Sequence, residues 1–226
     1  MFDDGAVQDP FWSERAAMVE EQLVRRGIHD PMVLRVMREV PRHLFVPEHL
    51  QAQAYDDGPL PIGLGQTISQ PYMVALMLEL LDLRASDRVL DIGTGSGYQA
   101  AILSRLAREV WSVEIVPELA ESAGERLARL GYHRVQVVTG DGSVGLPEHA
   151  PYDAMVVAAG APHVPAAMIE QLSDGGRLVI PVGDLETQAL RLVTRTGRGT
   201  STQSLLSCAF VPLVGRGGWP GAAAFH

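Results

Sequence analysis

Along the chain the spacing of apolar residues changes from helical to strand-like at about residue 87. Phe11, Ala16, Val19, Leu23 and Val24 recur at helical spacing up to Arg26, where Gly27 stops the run. Pro31 opens a second short helix through Met37, and Glu48 to Ala54 predicts a third. The first 57 residues therefore read as a helical cap without a fold-defining strand, residues 1–10 being frayed. Residues 58–71 are too rich in glycine and proline for a helix, yet too apolar for a solvated linker. From Pro71 to Leu81 apolar residues occupy almost every face, which predicts a buried helix. Then come strand 87–92, helix 98–107, a strand ending at Glu114, helix 117–130 and a strand at Val135–Val138, a βαβαβ succession. Tyr152 to Ala159 is continuously apolar, as expected of a strand covered on both faces. A helix over 165–172 and a strand over 177–182 follow. Strands at 189–194 and 205–211 flank a polar turn and predict an antiparallel pair.

The pattern predicts an α/β fold, a doubly wound and mostly parallel sheet with an N-terminal helical cap and a C-terminal antiparallel strand pair. It divides one domain into a cap (1–57), a loop (58–71), an α/β core (72–214) and a tail (215–226) that is flexible by composition. Ligand is expected at the carboxyl ends of the strands.

Composition narrows the class of function. A chain of 226 residues forms one domain and buries roughly 70% of its unfolded surface. A net charge of −9 argues against a phosphate-binding footprint, so no nucleic-acid partner is expected. Cys208 stands alone, which rules out an intramolecular disulfide and fits a reducing compartment. No apolar run approaches the ~20 residues of a membrane span, and Met1 to Gly5 is unlike a secretory leader. A cytoplasmic protein without a membrane partner is expected, and by default a monomer, since no long coiled coil or exposed apolar stripe is evident. His43 and His49 lack metal-ligand spacing, so no metal is expected.

The chemistry concentrates where the first parallel strand meets a glycine turn, Asp91-Ile92-Gly93-Thr94-Gly95-Ser96-Gly97. Glycines let backbone N–H groups approach a ligand, and the helix behind the turn adds polarity. A dinucleotide fingerprint would place its last glycine at position 98, which is tyrosine. The G-x-G-x-G form after an acidic strand end suits S-adenosylmethionine, whose cationic groups favour a carboxylate nearby. Glu114 lies 21 residues beyond Gly93, where an acid accepts hydrogen bonds from ribose hydroxyls. Asp141, followed by Gly142, ends the third strand and can accept from an adenine amino group, although a plain Asp-Gly turn would look the same. In the loop ahead of this core, Ser69 can serve as a helix N-terminal acceptor, line the site, or do both.

These residues resemble the protein-L-isoaspartate O-methyltransferase family from about Arg25 to Trp219. The resemblance rests on Pro41 to Pro47, Leu60 to Gly63, Gln66-Thr67-Ile68-Ser69-Gln70-Pro71, the glycine turn, Gly140-Asp141-Gly142, Gly175 to Gly183 and Phe210 to Gly215. The glycine turn marks only a class I methyltransferase, whereas the Thr-Ile-Ser-Gln-Pro stretch is specific to the family. One departure is Gly160, in a stretch that is usually alanine-rich. The resemblance implies methylation of the free α-carboxylate of isoaspartyl residues in damaged proteins, and of the corresponding D-aspartyl carboxylate. The ester closes to a succinimide without enzyme, and hydrolysis returns some normal aspartate. Ser69 matches the family's active-site serine; Asp91, Gly93, Glu114, Asp141 and Gly142 match its cofactor contacts. Gly95 and Gly97 of the same turn are expected to join them, and loop residues Gln66, Thr67 and Ile68 to cover the cofactor.

A carboxylate is already anionic at neutral pH, so the transfer needs alignment and exclusion of water more than a base. Ser69 and nearby backbone N–H groups are expected to bind the substrate carboxylate. Two alternatives are a carboxyl methyltransferase for one dedicated peptide and a non-catalytic S-adenosylmethionine-binding module.

Overall fold

The computed structural model describes residues 9–220; expectations for residues 1–8 and 221–226 lie outside the described residues. Seven strands form the main sheet: β3 (Arg88–Ile92), β4 (Glu109–Glu114), β5 (Val135–Thr139), β6 (Tyr152–Val157), β7 (Leu172–Gly183), β8 (Gln188–Thr196) and β9 (Gly199–Cys208). Their order is β5-β4-β3-β6-β7-β8-β9. The β3–β4, β4–β5, β3–β6 and β6–β7 pairs are parallel, and β7–β8 and β8–β9 antiparallel. The chain starts at β3, winds outward to β5 and returns to β6 beside β3. The winding direction reverses between β3 and β6, and in such sheets that is where a crevice opens at the carboxyl edge.

Helices cover both faces. They are α1 (Trp12–Ala17), α2 (Pro31–Glu39), α3 (Pro71–Leu80), α4 (Tyr98–Leu106), α5 (Pro117–Arg129) and the short α6 (Ala166–Glu170). Helix α3 is apolar nearly all round and buries Met73, Val74, Ala75, Met77 and Leu78, as its sequence predicts. Asp30 caps α2 by accepting from the amides of Met32 (2.7 Å) and Val33 (3.1 Å), with Pro31 at the first helical position. The helix expected over 11–26 is one continuous run that changes pitch. Helix α1 widens to π geometry over Met18–Leu23, then tightens to a 3₁₀ turn over Val24–Arg26 before Gly27 ends it at φ 91°. Met18, Val19 and Leu23 from this run share one core with Val33, Val36 and Met37 of α2 and with α3.

Three segments differ from the sequence reading. The loop 58–71 holds a hairpin, β1 (Leu60–Gly63) with β2 (Gln66–Ile68), paired Leu60↔Ile68 and Pro61↔Thr67. The polar run Gly199–Ser204, read as a turn, is the first half of edge strand β9; the reversal lies at Thr196–Gly199. The tail expected to be flexible is, over Gly215–Trp219, a hydrogen-bonded turn: the Trp219 amide donates to Leu213 O (2.7 Å) and the Gly215 amide to Trp219 O (3.1 Å). Among the described residues no helix is long and apolar enough to cross a membrane.

Candidate active site

The crevice at the β3–β6 reversal is a cavity with a floor, a roof and a far wall. Gly93, Thr94 and Gly95 form the floor beyond β3. Gly93 (φ 92°) and Gly95 (φ 51°) both hold left-handed backbone, which a side chain disfavours. Gly97 behaves differently from the expectation. It is buried away from the cavity at φ 86°, where it caps α4, and a Cβ there would lie 3.2 Å from Leu127 of α5. Gly97 thus seats α4 against α5 and does not touch the cavity.

Glu114 closes the floor at the tip of β4. Its Oε2 accepts from the Gly95 amide (2.8 Å) and its Oε1 from the Val116 amide (3.0 Å). The carboxylate lines the cavity, so its remaining lone pairs face it and suit a pair of hydroxyls. Gly142, beyond β5, lines the same wall, and a Cβ there would sit 2.7 Å from Ile92 Cγ2. Ala158, beyond β6, donates its amide to Ile92 O (2.8 Å) and completes the crevice.

Asp91 and Asp141 stand one layer behind this surface. Asp91 is 0% exposed and does not line the cavity. Its Oδ1 accepts from Gln99 Nε2 (2.8 Å) and its Oδ2 from Ser112 Oγ (2.7 Å), and Ser112 is hydrogen-bonded to Thr94 (2.6 Å). Burial without a cationic neighbour pushes the Asp91 carboxyl up to about 6. The acid acts on the cavity through Gln99 and Thr94, which do line it and which sequence reasoning missed. Asp141 also stays out of the lining: its Oδ1 accepts from the Ser143 amide (3.0 Å) and its Oδ2 from the Arg216 amide (2.9 Å). As with Glu114, the Asp141 carboxylate keeps lone-pair capacity beyond its backbone partners, so the expected contact with the adenine amino group is still open to it.

The β1–β2 hairpin is the roof. Gln66, Thr67, Ile68 and Ser69 all line the cavity. The hairpin turns through Gly63, Leu64 and Gly65, all at positive φ, and Ile62 comes within 3.3 Å of where a Gly95 Cβ would lie. Ile68 is anchored in the main core, and Ser69 follows it at the junction with α3. The N-terminus of α3 receives no side-chain cap, so the capping role open to Ser69 is not used. The base of the hairpin is tied to the cap: Gln70 Nε2 donates to Asp57 (2.7 Å), which also pairs with Arg26 (3.1 Å). Arg26 in turn lies over the Tyr72 ring at 3.7 Å.

The far wall is Val211–Val214, a segment whose part in the site the sequence did not disclose. It runs beside Gly160, with the Gly160 amide donating to Val211 O (2.7 Å) and the Leu213 amide to Gly160 O (2.8 Å). Position 160, the departure noted above, admits only glycine without displacing Gln188: a Cβ would lie 2.8 Å from Gln188 Cδ.

His43 accepts or donates one hydrogen bond with the Tyr55 hydroxyl (2.8 Å) and packs on Phe11. Among the described residues no group of three His, Cys, Asp or Glu is placed to hold a metal ion. The donor set fits an adenosyl cofactor: a glycine floor, a half-satisfied Glu114 carboxylate and apolar residues such as Ile115 and Val116.

A sequence model described as protein-L-isoaspartate(D-aspartate) O-methyltransferase matches residues 13–218. A protein-L-isoaspartate O-methyltransferase of Methanoculleus marisnigri is 56% identical over 214 residues, 94% of this chain and 97% of that protein. Another, of Marinobacter nauticus, is 57% identical over 208 residues, 91% of this chain and 95% of that protein. One solved structure of a protein-L-isoaspartate O-methyltransferase superposes with a TM-score of 0.77 at 31% identity over 88% of this chain. This chain spans 64% of that one's length. A Plasmodium falciparum structure described with the same activity, in complex with S-adenosyl-L-homocysteine, gives a TM-score of 0.75 at 27% identity, covering 87% of this chain and 96% of that one.

Proposed function

The chain belongs to the protein-L-isoaspartate(D-aspartate) O-methyltransferase family, and from that premise we propose how its cavity carries out the family's reaction. The enzyme transfers a methyl group from S-adenosyl-L-methionine to the α-carboxylate of L-isoaspartyl residues in damaged proteins and peptides. The match of the family's sequence over residues 13–218, with Ser69 and Glu114 facing one cavity, is the observation that carries this reading. In our reading the D-aspartyl β-carboxylate, presented in a similar geometry, is a second acceptor.

When bound, S-adenosylmethionine supplies an electrophilic methyl group and leaves as S-adenosylhomocysteine. Glu114 holds the ribose hydroxyls while its own position is fixed by the amides of Gly95 and Val116. Gly93, Gly95 and Gly142 allow close approach of backbone, and Asp91 keeps Gln99 and Thr94 turned toward the cofactor's polar end. Gln66, Thr67 and Ile68 exclude water from above. The Ser69 hydroxyl donates to one oxygen of the substrate carboxylate and leaves the other free to attack. No general base is required, because the nucleophile is ionised at neutral pH. The family's substrate is presented by many different proteins, so binding has to rest on the isoaspartyl carboxylate and backbone. A carboxyl methyltransferase for one dedicated peptide and a non-catalytic cofactor binder are not favoured by the matches over nearly the full length of the relatives. We further place the enzyme in the cytoplasm on the strength of its lone cysteine, and without a nucleic-acid partner on the strength of its net charge of −9, with a monomer without membrane partners as the default reading.

The test is methyl transfer from labelled S-adenosylmethionine to a short isoaspartyl peptide and to its aspartyl twin. Base-labile label on the isoaspartyl peptide alone is expected. Label on neither peptide, with cofactor binding intact, would overturn the proposed activity.

A further inference from the structure

Gln188 opens β8, is 2% exposed and does not line the cavity. A buried side-chain amide is costly unless its donor and acceptor ends are both met. Here two different segments meet them. Nε2 donates to Asp184 O (2.6 Å) in the turn that follows β7, and Oε1 accepts from the Phe210 amide (2.7 Å). Phe210 leads directly into Val211–Val214, the far wall of the cavity. Strand β9 ends at Cys208, so this wall has no ladder of its own, only isolated bridges from Pro212 to Gly160 and from Val214 to Trp219. The Gln188 side chain packs on Gly160, where glycine leaves it the room to reach Phe210. The wall is therefore set by the Gly160 backbone and, one residue before it begins, by a side-chain amide.

The sheet order says which end of the cavity this wall serves. The lining runs from Glu114 beyond β4, through Gly93 beyond β3 and Ala158 beyond β6, to the wall beside Gly160, whose neighbour Ala161 bridges to Val182 of β7. With the ribose hydroxyls held at Glu114, the wall falls at the opposite, acceptor end. We propose that Gln188 is a positioning residue for the acceptor: by holding the Phe210 amide it sets the Val211–Val214 wall against which the isoaspartyl peptide binds. This role rests on the methyltransferase reading above. Gln188 touches neither Ser69 nor the glycine floor, so its loss displaces the wall and leaves the methyl donor and the Ser69 hydroxyl in place.

The experiment measures kcat and KM separately for methyl transfer to a short isoaspartyl peptide, with S-adenosylhomocysteine affinity by titration calorimetry, in the full chain and two variants. Gln188→Met keeps the length of the side chain and removes both hydrogen bonds. It is expected to raise the peptide KM about three- to tenfold, the effect of losing a hydrogen bond of this kind. Its kcat and its S-adenosylhomocysteine affinity are expected to stay within about twofold of the wild-type values. Gln188→Glu keeps an acceptor for the Phe210 amide and loses the donor to Asp184 O, so its peptide KM is expected within about twofold of wild type. Melting temperatures of both variants are expected to fall. A general loss of folded protein lowers the apparent kcat and leaves KM where it was, so it does not reproduce the predicted split. An unchanged peptide KM in Gln188→Met would overturn the proposal. So would a rise of about threefold or more in Gln188→Glu, which would assign the effect to the Asp184 turn, or an equal loss of S-adenosylhomocysteine affinity, which would put the wall on the cofactor. If the wild-type chain transferred no label to the isoaspartyl peptide, the methyltransferase reading itself would fall, and this role with it.

Discussion

Asp91 shows how one residue's environment sets its part. Its side chain has no contact with solvent, and only neutral groups donate to it. Burial raises its carboxyl to about 6, above the ordinary value near 4 of the unfolded chain. The folded state therefore binds more protons between pH 4 and 6, and its stability falls as pH rises through that window, by about 3 kcal/mol in total. Asn at this position keeps an acceptor for Gln99 and a donor for Ser112. Asp91→Asn is expected to flatten the pH 4–6 limb of the melting curve of the ligand-free protein while weakening cofactor binding; an unaltered limb would sink the assignment. Ser69 is the complementary case, a hydroxyl lining the cavity with no capping duty on α3. Ser69→Ala is expected to lower kcat/KM for an isoaspartyl peptide roughly tenfold or more, while S-adenosylhomocysteine affinity stays within about twofold. Equal loss of both would remove Ser69 from substrate binding. The acids at the three strand ends were readable because strand–turn–helix punctuation places them. Which of them faces the cavity was not, because Asp91 and Glu114 differ only in what packs around them.

At the level of elements, the legible parts were those whose periodicity is strong. The parallel strands and α3 are continuous apolar runs, and a run of that kind has few alternatives once glycine bounds it. The hairpin was hidden because its strands are four and three residues long and its turn, Gly63-Leu64-Gly65, carries an apolar side chain. Edge strand β9 was half hidden because Gly199–Ser204 is polar and exposed on both faces, leaving no alternation to read. The hairpin is joined to the remainder by Ile68 in the main core, by Leu60 and Ile62 packed against that core, and by the Gln70–Asp57–Arg26 chain at its base. A two-stranded sheet contributes little stability of its own, so ligand beneath it should contribute to its order. Saturating S-adenosylhomocysteine is expected to slow amide exchange at Gln66–Ile68 at least about tenfold, relative to β7. Equal exchange with and without ligand would show that the hairpin is not a cofactor roof.

Taken as a whole, the molecule divides its work between a sheet that fixes the floor and two elements outside it, the hairpin and the Val211–Val214 segment, that complete the cavity. Ligand that binds across all three should stabilise the entire fold. At a hundred times its dissociation constant, S-adenosylhomocysteine is expected to add about 2.7 kcal/mol and raise the melting temperature by roughly 5–10 °C. No shift at that concentration would contradict a cavity built from all three parts.

The hydrogen bonds that hold the Asp141 carboxylate also bear on how this molecule ages. The chain contains no asparagine, so deamidation cannot supply it with isoaspartate, but it carries Asp-Gly at positions 57, 141 and 174 among the described residues. Isomerisation at such a pair requires the following amide nitrogen to attack a protonated, freely rotating carboxyl group. At Asp141, burial pulls the carboxyl upward but hydrogen bonds from the Arg216 amide and from Ser143 outweigh it, so the group stays ionised. Both oxygens are held, and Gly142 is buried. Asp174 is exposed and precedes a glycine at φ 78°. A protein whose task is to mend this lesion thus shields the Asp-Gly beside its own active site while leaving another open to it.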